Sequence, residues 1–332
     1  MQEFNLLDNL LSNIEDRFLS LPDGPGDDCA IVKGIGDLLC SHDVLVENVH
    51  FNLSWSSPED VAWKSLATNE SDIASMGGVP VGYTISLVVP KGYSNFLNEF
   101  YKGINKYLLD AEERGYPQKL LGGDLSSGKE LSISVAVIGR VNDHPIKRSG
   151  AQPGNVLVIS AQIGLAGIGL KLFSGDTLGP EFSKEYQELA RLKHRRPMAR
   201  TALGVSLSKL KIATAMIDIS DGLFQDAIHI AKASKVSLKL DFDEIRFPDT
   251  PKYSELLRRL SAGDDYELLF TLVDDKAYLD LKNIYPEIVK VGEVVSQEED
   301  YILVENLNGR ISLNSYLDKT EDKAKLGYQH DF

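Results

Sequence analysis

"SSPEDVAWKSLATNESDIASMGG", residues 56–78, reads as a helix marked at both ends. Ser57 is placed as its N-cap and Pro58 takes the first helical position, where a missing N–H costs nothing. Glu59 and Asp60 suit the positive end of the helix dipole, and Gly77-Gly78 stops the helix. "VGYTISLVV", 81–89, follows as a strand. Upstream, Phe4, Leu7, Leu11, Ile14 and Phe18 recur at helical spacing, and "CAIVKG", "DLLCS" and "VLVENVHF" read as short strands. Downstream, Ser94 to Arg114 reads as helix, "KLLGG" as a short strand and "ELSISVAVIGRV" as a long one. Strands and helices alternate without the long parallel series of a doubly wound sheet, so the reading is α+β.

The composition changes at "HPIKRSGAQPGN", 144–155, which is rich in Pro, Gly and basic side chains. A domain boundary is expected there, giving domains 1–143 and 144–332. That agrees with 332 residues and the usual prior of roughly 100–200 residues per domain. The second half opens with the strand "VLVIS" and the small-residue helix start "GLAGIGLKLF". Helices near 181–195 and 198–209, the strand "TAMIDIS" and the helix "DGLFQDAIHIAKAS" follow. The remainder reads as strand, helix, "DYELLFTLV", helix and two closing strands.

Lys+Arg is 35 and Asp+Glu is 49, a formal net charge of −14. Such a surface disfavours nucleic acid and anionic membranes, but not anionic ligands carried by metal ions. No apolar run approaches the ~20 residues of a membrane span, and the acidic N-terminus lacks a signal-peptide layout. The two cysteines, Cys29 and Cys40, have no metal spacing. A reduced, cytoplasmic protein is expected.

Carboxylates gather at strand ends and turns: Asp27 and Asp28 in "GPGDDCAIV", Asp43, Asp72, Asp124 in "LLGGDLSSG", Asp218 and Asp221 in "IDISDG", and Asp264 and Asp265 in "AGDDYEL". One such Asp is most often a cap or turn former. Several that interrupt apolar runs, where a lone carboxylate would be costly, point to a hard cation with oxygen ligands, namely Mg²⁺. Gly122-Gly123-Asp124 could bring backbone N–H groups to a phosphate, and Arg148 could pair with phosphate in a fork geometry. His50 ends a strand-like segment near the acidic cluster. There is no Walker A sequence, no kinase glycine loop, no nucleophile elbow and no Ser-His-Asp arrangement.

Taken in order, "GPGDDCAIV", "DVLVENVHF", "WKSLATNESDIASMGGVP", "GGD", "RSGAQPG", "MIDISDGL" and "GDDYELLFT" resemble the motifs of the thiamine-monophosphate kinase family from about residue 24 onward. That family shares a superfamily with aminoimidazole ribonucleotide synthetase and selenophosphate synthetase. The resemblance implies two α+β domains of that type, a homodimer formed through the N-terminal halves, and ATP bound through several Mg²⁺ ions without a P-loop. It leaves a monovalent cation as a further candidate. The implied reaction is phosphoryl transfer from ATP to thiamine monophosphate.

Matched position by position, Asp28, Asp43, Asp72, Asp124, Asp218 and Asp221 fall at metal sites, with Ser41 a minor metal contact. Gly123, Asp124, Arg148 and Ser220 fall at nucleotide contacts, and His50, Asp264 and Tyr328 at contacts to the thiamine substrate. No covalent nucleophile or general base is expected. The chain departs from the pattern at His42, where the family usually has Thr, and at Asp264, where it usually has Glu. A selenophosphate synthetase would need a reactive Cys in a glycine-rich N-terminal segment, which is not seen. Two readings compete with the kinase: a further ATP-using enzyme of the superfamily, and a non-catalytic nucleotide- or metal-binding regulator derived from it.

Overall fold

The computed structural model describes residues 30–33, 37–141, 143–242, 245–249, 251–306 and 309–312. The expected helix over Phe4–Phe18, and Asp27, Asp28 and Tyr328, lie outside the described residues.

The N-terminal half runs β1 (Ala30–Lys33), β2 (Asp37–Val46), α1 (Pro58–Ser75), β3 (Val79–Val89), α2 (Ser94–Glu113), β4 (Lys119–Ser127) and β5 (Ser132–Val141). Its sheet has the order β1-β2-β5-β3-β4, antiparallel except for the parallel pair β3–β4. The helices cover one face, over a core that includes Leu39, Leu66, Ile73, Tyr83, Phe100 and Val135.

The C-terminal half comprises β6 (Val156–Ile159), α3 (Leu165–Phe173), α4 (Lys184–Arg195), α5 (Thr201–Leu210), β7 (Ala213–Ile219), α6 (Leu223–Ser234), β8 (Val236–Leu240), α7 (Tyr253–Leu260), β9 (Glu267–Leu272), α8 (Asp275–Ile284), β10 (Val289–Ser296), β11 (Ile302–Asn306) and β12 (Gly309–Ser312). Its sheet order is β12-β11-β8-β10-β6-β9-β7, antiparallel except for β8–β11. Apolar clusters lie on both faces, one around Ile217, Phe224 and Leu240, the other around Met216, Leu203 and Phe270. That double cover explains why β6 and β9 are buried along their whole length and do not alternate.

The α+β reading holds, with three local differences. "DLLCS" and the start of "VLVENVHF" form one strand, β2, because Leu39, Ser41, Asp43 and Leu45 share its inner face although two of them are polar. "KLLGG" continues to Ser127, since pairing with β3 carries the edge strand past its glycines. Among the described residues three strands, not two, follow α8, the last two as a hairpin with Asn306 opposite Gly309. Among the described residues no helix is long and apolar enough to cross a membrane.

Candidate active site

Helix α1 is the axis of the site. It starts in a capping box: the Asp60 N–H donates to Ser57 Oγ at 3.2 Å and the Ser57 N–H to Asp60 Oδ2 at 3.0 Å. It ends where Gly77 takes φ +74°, with so little space that a Cβ would lie 2.6 Å from Ser208 Cβ. The helix is buried almost all round although half its residues are polar. Lys64, Thr68, Ser71 and Asp72 fall at helical spacing along one stripe. Lys64 Nζ donates to the His50 carbonyl at 3.0 Å and to Asp264 Oδ2 at 2.8 Å. The Thr68 side chain is hydrogen-bonded to Asp43. Ser71 Oγ donates to Asp218 Oδ2 at 2.6 Å, and Ser41 Oγ donates to Asp72 Oδ2 at 2.5 Å. One helix therefore gathers carboxylates from β2, β7 and the loop before β9.

The loops after β7 and before β9 abut. The Asp264 N–H donates to the Ser220 carbonyl and the Tyr266 N–H to the Ile219 carbonyl, each at 2.8 Å. Only residues without a side chain fit where they touch: a Cβ on Gly263 would lie 2.2 Å from the Ser220 carbonyl oxygen, and one on Gly222 2.5 Å from that of Ser261. Asp226 Oδ2 holds the first loop, accepting N–H groups from Ser220, Asp221 and Gly222 at 3.1, 3.2 and 3.2 Å. Asp264 and Tyr266 both have positive φ, +68° and +51°, which non-glycine residues adopt only under constraint.

Electrostatics follow from this packing. Burial alone would raise the Asp264 carboxyl, but the Lys64 ammonium, together with His194 and the Tyr266 hydroxyl, holds the group below the usual range. Packing raises the Asp43 carboxyl. Tyr266 donates to Asp264 Oδ1 at 3.1 Å; burial, then the charges of Asp264, Asp43 and Asp218 around it, lift its phenol well above the ordinary value. His194 Nδ1 lies 3.5 Å from Asp264 Oδ2, and burial with Lys64 nearby lowers its pKa to about 4, so it is uncharged at neutral pH.

The structure therefore brings together Ser41, Asp43, Asp72, Asp218, Ser220 and Asp264, with His50 joined through its backbone. His50 sits in the turn after β2, where its Nδ1 accepts the Val46 N–H at 3.0 Å. Gly123 and Asp124 are not with them. Asp43 pairs with Val135, Val135 with Ile85 and Ile85 with Gly123, so three strand steps, about 14 Å, separate the ends of that row. Asp124 belongs to the next row, with Val44, Ser134 and Ser86, on the opposite face of the sheet. His42 also faces outward, its Nε2 2.5 Å from Ser134 Oγ, so the departure from the family at this position points away from Ser41 and Asp43. Arg148 lies on a segment tied to β7 by the Met216 N–H and to the end of α6 by Ser234 Oγ, which donates to the Arg148 carbonyl at 3.2 Å.

Sequence reasoning missed Lys64, Thr68, Ser71, His194, Asp226 and Tyr266. Lys64, Thr68, Ser71 and Asp72 recurring at helical spacing were a usable signal. Asp226 and His194 carried none, because their roles depend on which loops meet. Ser41 and Ser71 each donate to a carboxylate.

Among the described residues no three His, Cys, Asp or Glu side chains form a ready-made chelate. The donors of the site are hard oxygens, carboxylates oriented by hydroxyls. That fits Mg²⁺, which is commonly held by one or two carboxylates with waters and substrate phosphates supplying the rest.

Comparison with known proteins sets this geometry in context. Residues 26–141 match the AIR synthase related protein N-terminal domain and residues 152–305 the corresponding C-terminal domain. The chain is 34% identical over 321 residues to the thiamine-monophosphate kinase of Buchnera aphidicola subsp. Schizaphis graminum, covering 92% of this chain and 94% of that protein. It is 33% identical over 319 residues to that of Bacillus subtilis, with the same coverage, 92% and 94%. The solved structure of AaThiL complexed with AMPPCP and TMP superposes with a TM-score of 0.74 at 29% identity, covering 91% of this chain and 93% of that one.

Proposed function

This chain belongs to the thiamine-monophosphate kinase family, and we propose that it transfers the γ-phosphoryl group of ATP directly to thiamine monophosphate, giving thiamine diphosphate and ADP. The observation that carries the reading is the stripe on α1, which draws Asp43, Asp72, Asp218 and Asp264 from separate elements into one place. The similar structure bound to an ATP analogue and TMP supports both substrates.

The acceptor is a phosphate monoester, whose second pKa of about 6 leaves it largely deprotonated at neutral pH. It needs little help from a general base, and the obstacle is repulsion between two anions. Mg²⁺ held by Asp28, Asp43, Asp72, Asp124, Asp218 and Asp221, with Ser41, would neutralise that charge and align the reacting groups. The chain's own work is positioning. Ser41, Thr68 and Ser71 each donate to a carboxylate and so fix which oxygen lone pairs remain for the ion. Gly123, Arg148 and Ser220 receive the nucleotide, and His50, Asp264 and Tyr328 the thiamine moiety. The two domains are 1–143 and 144–332, and the reaction is cytoplasmic.

The working unit is a homodimer. Asp124 faces away from Asp43 within one chain, on an edge strand that is exposed throughout and rich in leucine: Leu120, Leu121 and Leu125 are 39%, 50% and 56% exposed. A second copy laid along this edge would cover those side chains and supply a site with Gly123 and Asp124 that a single chain does not assemble.

ADP release from ATP and Mg²⁺ that depends on thiamine monophosphate tests the reading. ATP binding, followed by calorimetry, is expected to collapse in excess chelator, and Asp72→Asn and Asp218→Asn to lose most activity while melting cooperatively. Nucleotide affinity unchanged by the chelator would overturn the metal-held site.

A further inference from the structure

Lys64 is the one cation of the α1 stripe, and its surroundings are unusual for a lysine. The residue is 3% exposed. A buried ammonium is tolerated only when paired and hydrogen-bonded. Lys64 finds both partners at residues assigned above to the substrate: the His50 carbonyl at 3.0 Å, in the N-terminal half, and Asp264 Oδ2 at 2.8 Å, in the C-terminal half.

The Asp264 carboxylate faces three groups. Oδ2 takes Lys64, with His194 Nδ1 at 3.5 Å, and Oδ1 takes the Tyr266 hydroxyl at 3.1 Å. His194 is neutral, so the charge on Oδ2 is balanced by Lys64. An ionised carboxylate has about four lone-pair sites, so acceptor capacity remains on a group 31% exposed at its side chain. The backbone at Asp264 has φ +68°, and its side chain, one methylene shorter than Glu, meets Lys64 Nζ at 2.8 Å.

We propose that Lys64 is a positioning residue for the thiamine end of the substrate: its ammonium holds the Asp264 carboxylate and the His50 turn in one arrangement and so couples the two contacts, one from each half of the chain. The inference rests on the kinase reading above. It goes beyond it by assigning the positioning of the thiamine contacts to a residue whose own partners are the His50 carbonyl and Asp264. It also accounts for the Asp at 264, since a carboxylate held by Lys64 needs no longer stem to be presented in a fixed direction.

The test is a double-mutant cycle on the full chain, with Lys64→Met, Asp264→Asn and the pair. Lys64→Met removes a charged hydrogen bond at each contact, so KM for thiamine monophosphate should rise about ten- to a hundredfold, while KM for ATP and kcat change by no more than about threefold. The pair should raise KM by clearly less than the product of the two single effects, because each variant breaks the same contact. A folded Lys64→Met enzyme with unchanged KM, equal rises in both KM values, or full multiplicativity would overturn the proposal.

If Lys64→Met shows no melting transition, the pair is compared with Asp264→Asn, because the pair strands no carboxylate or ammonium. The loss through the His50 turn should then appear as a further rise in KM for thiamine monophosphate alone, and an equal rise for ATP overturns the role. An unaltered enzyme without thiamine monophosphate-dependent ADP release would instead strike the kinase reading itself, and this role with it.

Discussion

Asp264 and Asp265 are neighbours with opposite employment. Asp264 faces the candidate substrate position with Lys64 and Tyr266, whereas Asp265 is 5% exposed and accepts backbone N–H groups from Gly164 and Ala166. The turn-capping role that either could have filled thus falls to Asp265. Asp264→Ala would be a poor probe: it puts an alanine at positive φ and leaves a buried ammonium unpaired. Asp264→Asn, which tolerates that backbone, is expected to raise KM for thiamine monophosphate by about ten- to a hundredfold with KM for ATP nearly unchanged, and Asp264→Glu to be far milder. Steady-state kinetics on both substrates check this.

The hydroxyl–carboxylate pairs Ser41–Asp72 and Ser71–Asp218 sharpen a second expectation at this scale. On the proposed mechanism they orient carboxylates that would hold metal and do not act as nucleophiles, so transfer from a chiral γ-phosphate should proceed with inversion. Net retention would indicate a phosphoenzyme and put one of these serines in question.

Among the elements, α3 offers a pH-dependent test. Its N-terminus would ordinarily favour an ionised Asp265. Burial outweighs the two backbone N–H bonds and lifts the carboxyl from its ordinary 3.8 to about 7. The native protein therefore keeps a proton that the unfolded chain has released between these values. Stability falls as pH rises through that window, by up to about 1.4 kcal/mol per pH unit, and levels off above it. His194 acts in the opposite sense: its pKa is lowered from 6.5 to about 4, so its contribution is lost as pH falls through that interval. Because His194 is common to both proteins, the difference between wild type and Asp265→Asn isolates the carboxyl. Denaturant unfolding at several pH values should show a smaller decline toward pH 7 in the variant, and parallel curves would refute the assignment. Helix α1 teaches a different lesson at this scale. Its ends were legible from Ser57, Pro58 and Gly77, but its all-round burial was not, because Lys64, Asn69, Glu70 and Ser71 are polar side chains of a kind mostly found exposed. Tertiary packing makes them interior: Glu70 meets Tyr107, Arg114 and Gln118 of its own half and Thr201 of the other, while Lys64 and Ser71 meet Asp264 and Asp218 of the C-terminal half.

For the whole molecule, the decisive expectation concerns assembly. Leu125 is exposed and adjoins Asp124 on the edge strand β4. Leu125→Arg leaves the fold of a single chain almost untouched but places a charge along the proposed dimer edge. Sedimentation is expected to shift from dimer to monomer and ADP release to fall at least about tenfold, as a site split between two chains requires, while the melting transition of the chain itself persists. A fully active monomer would show that Asp124 is not supplied across an interface.

What the sequence determined by itself was local or ordered along the chain: the ends of α1, the alternating strands of the N-terminal sheet, the α+β class, and the succession of acidic motifs that marked the family. Each of these is written in neighbouring residues, through caps, periodicity and turn chemistry. Tertiary structure decided what depends on contacts between distant segments. It placed Asp43 and Asp124 on opposite faces of one sheet, because strand register, not sequence spacing, assigns a face. It brought Asp264 to Ser220 through two glycines that permit close approach of the loops. It made a lysine in the middle of a helix the link between His50 and Asp264, because burial in a medium poorer than water in partners compels an ammonium to find its acceptors wherever the fold has brought them.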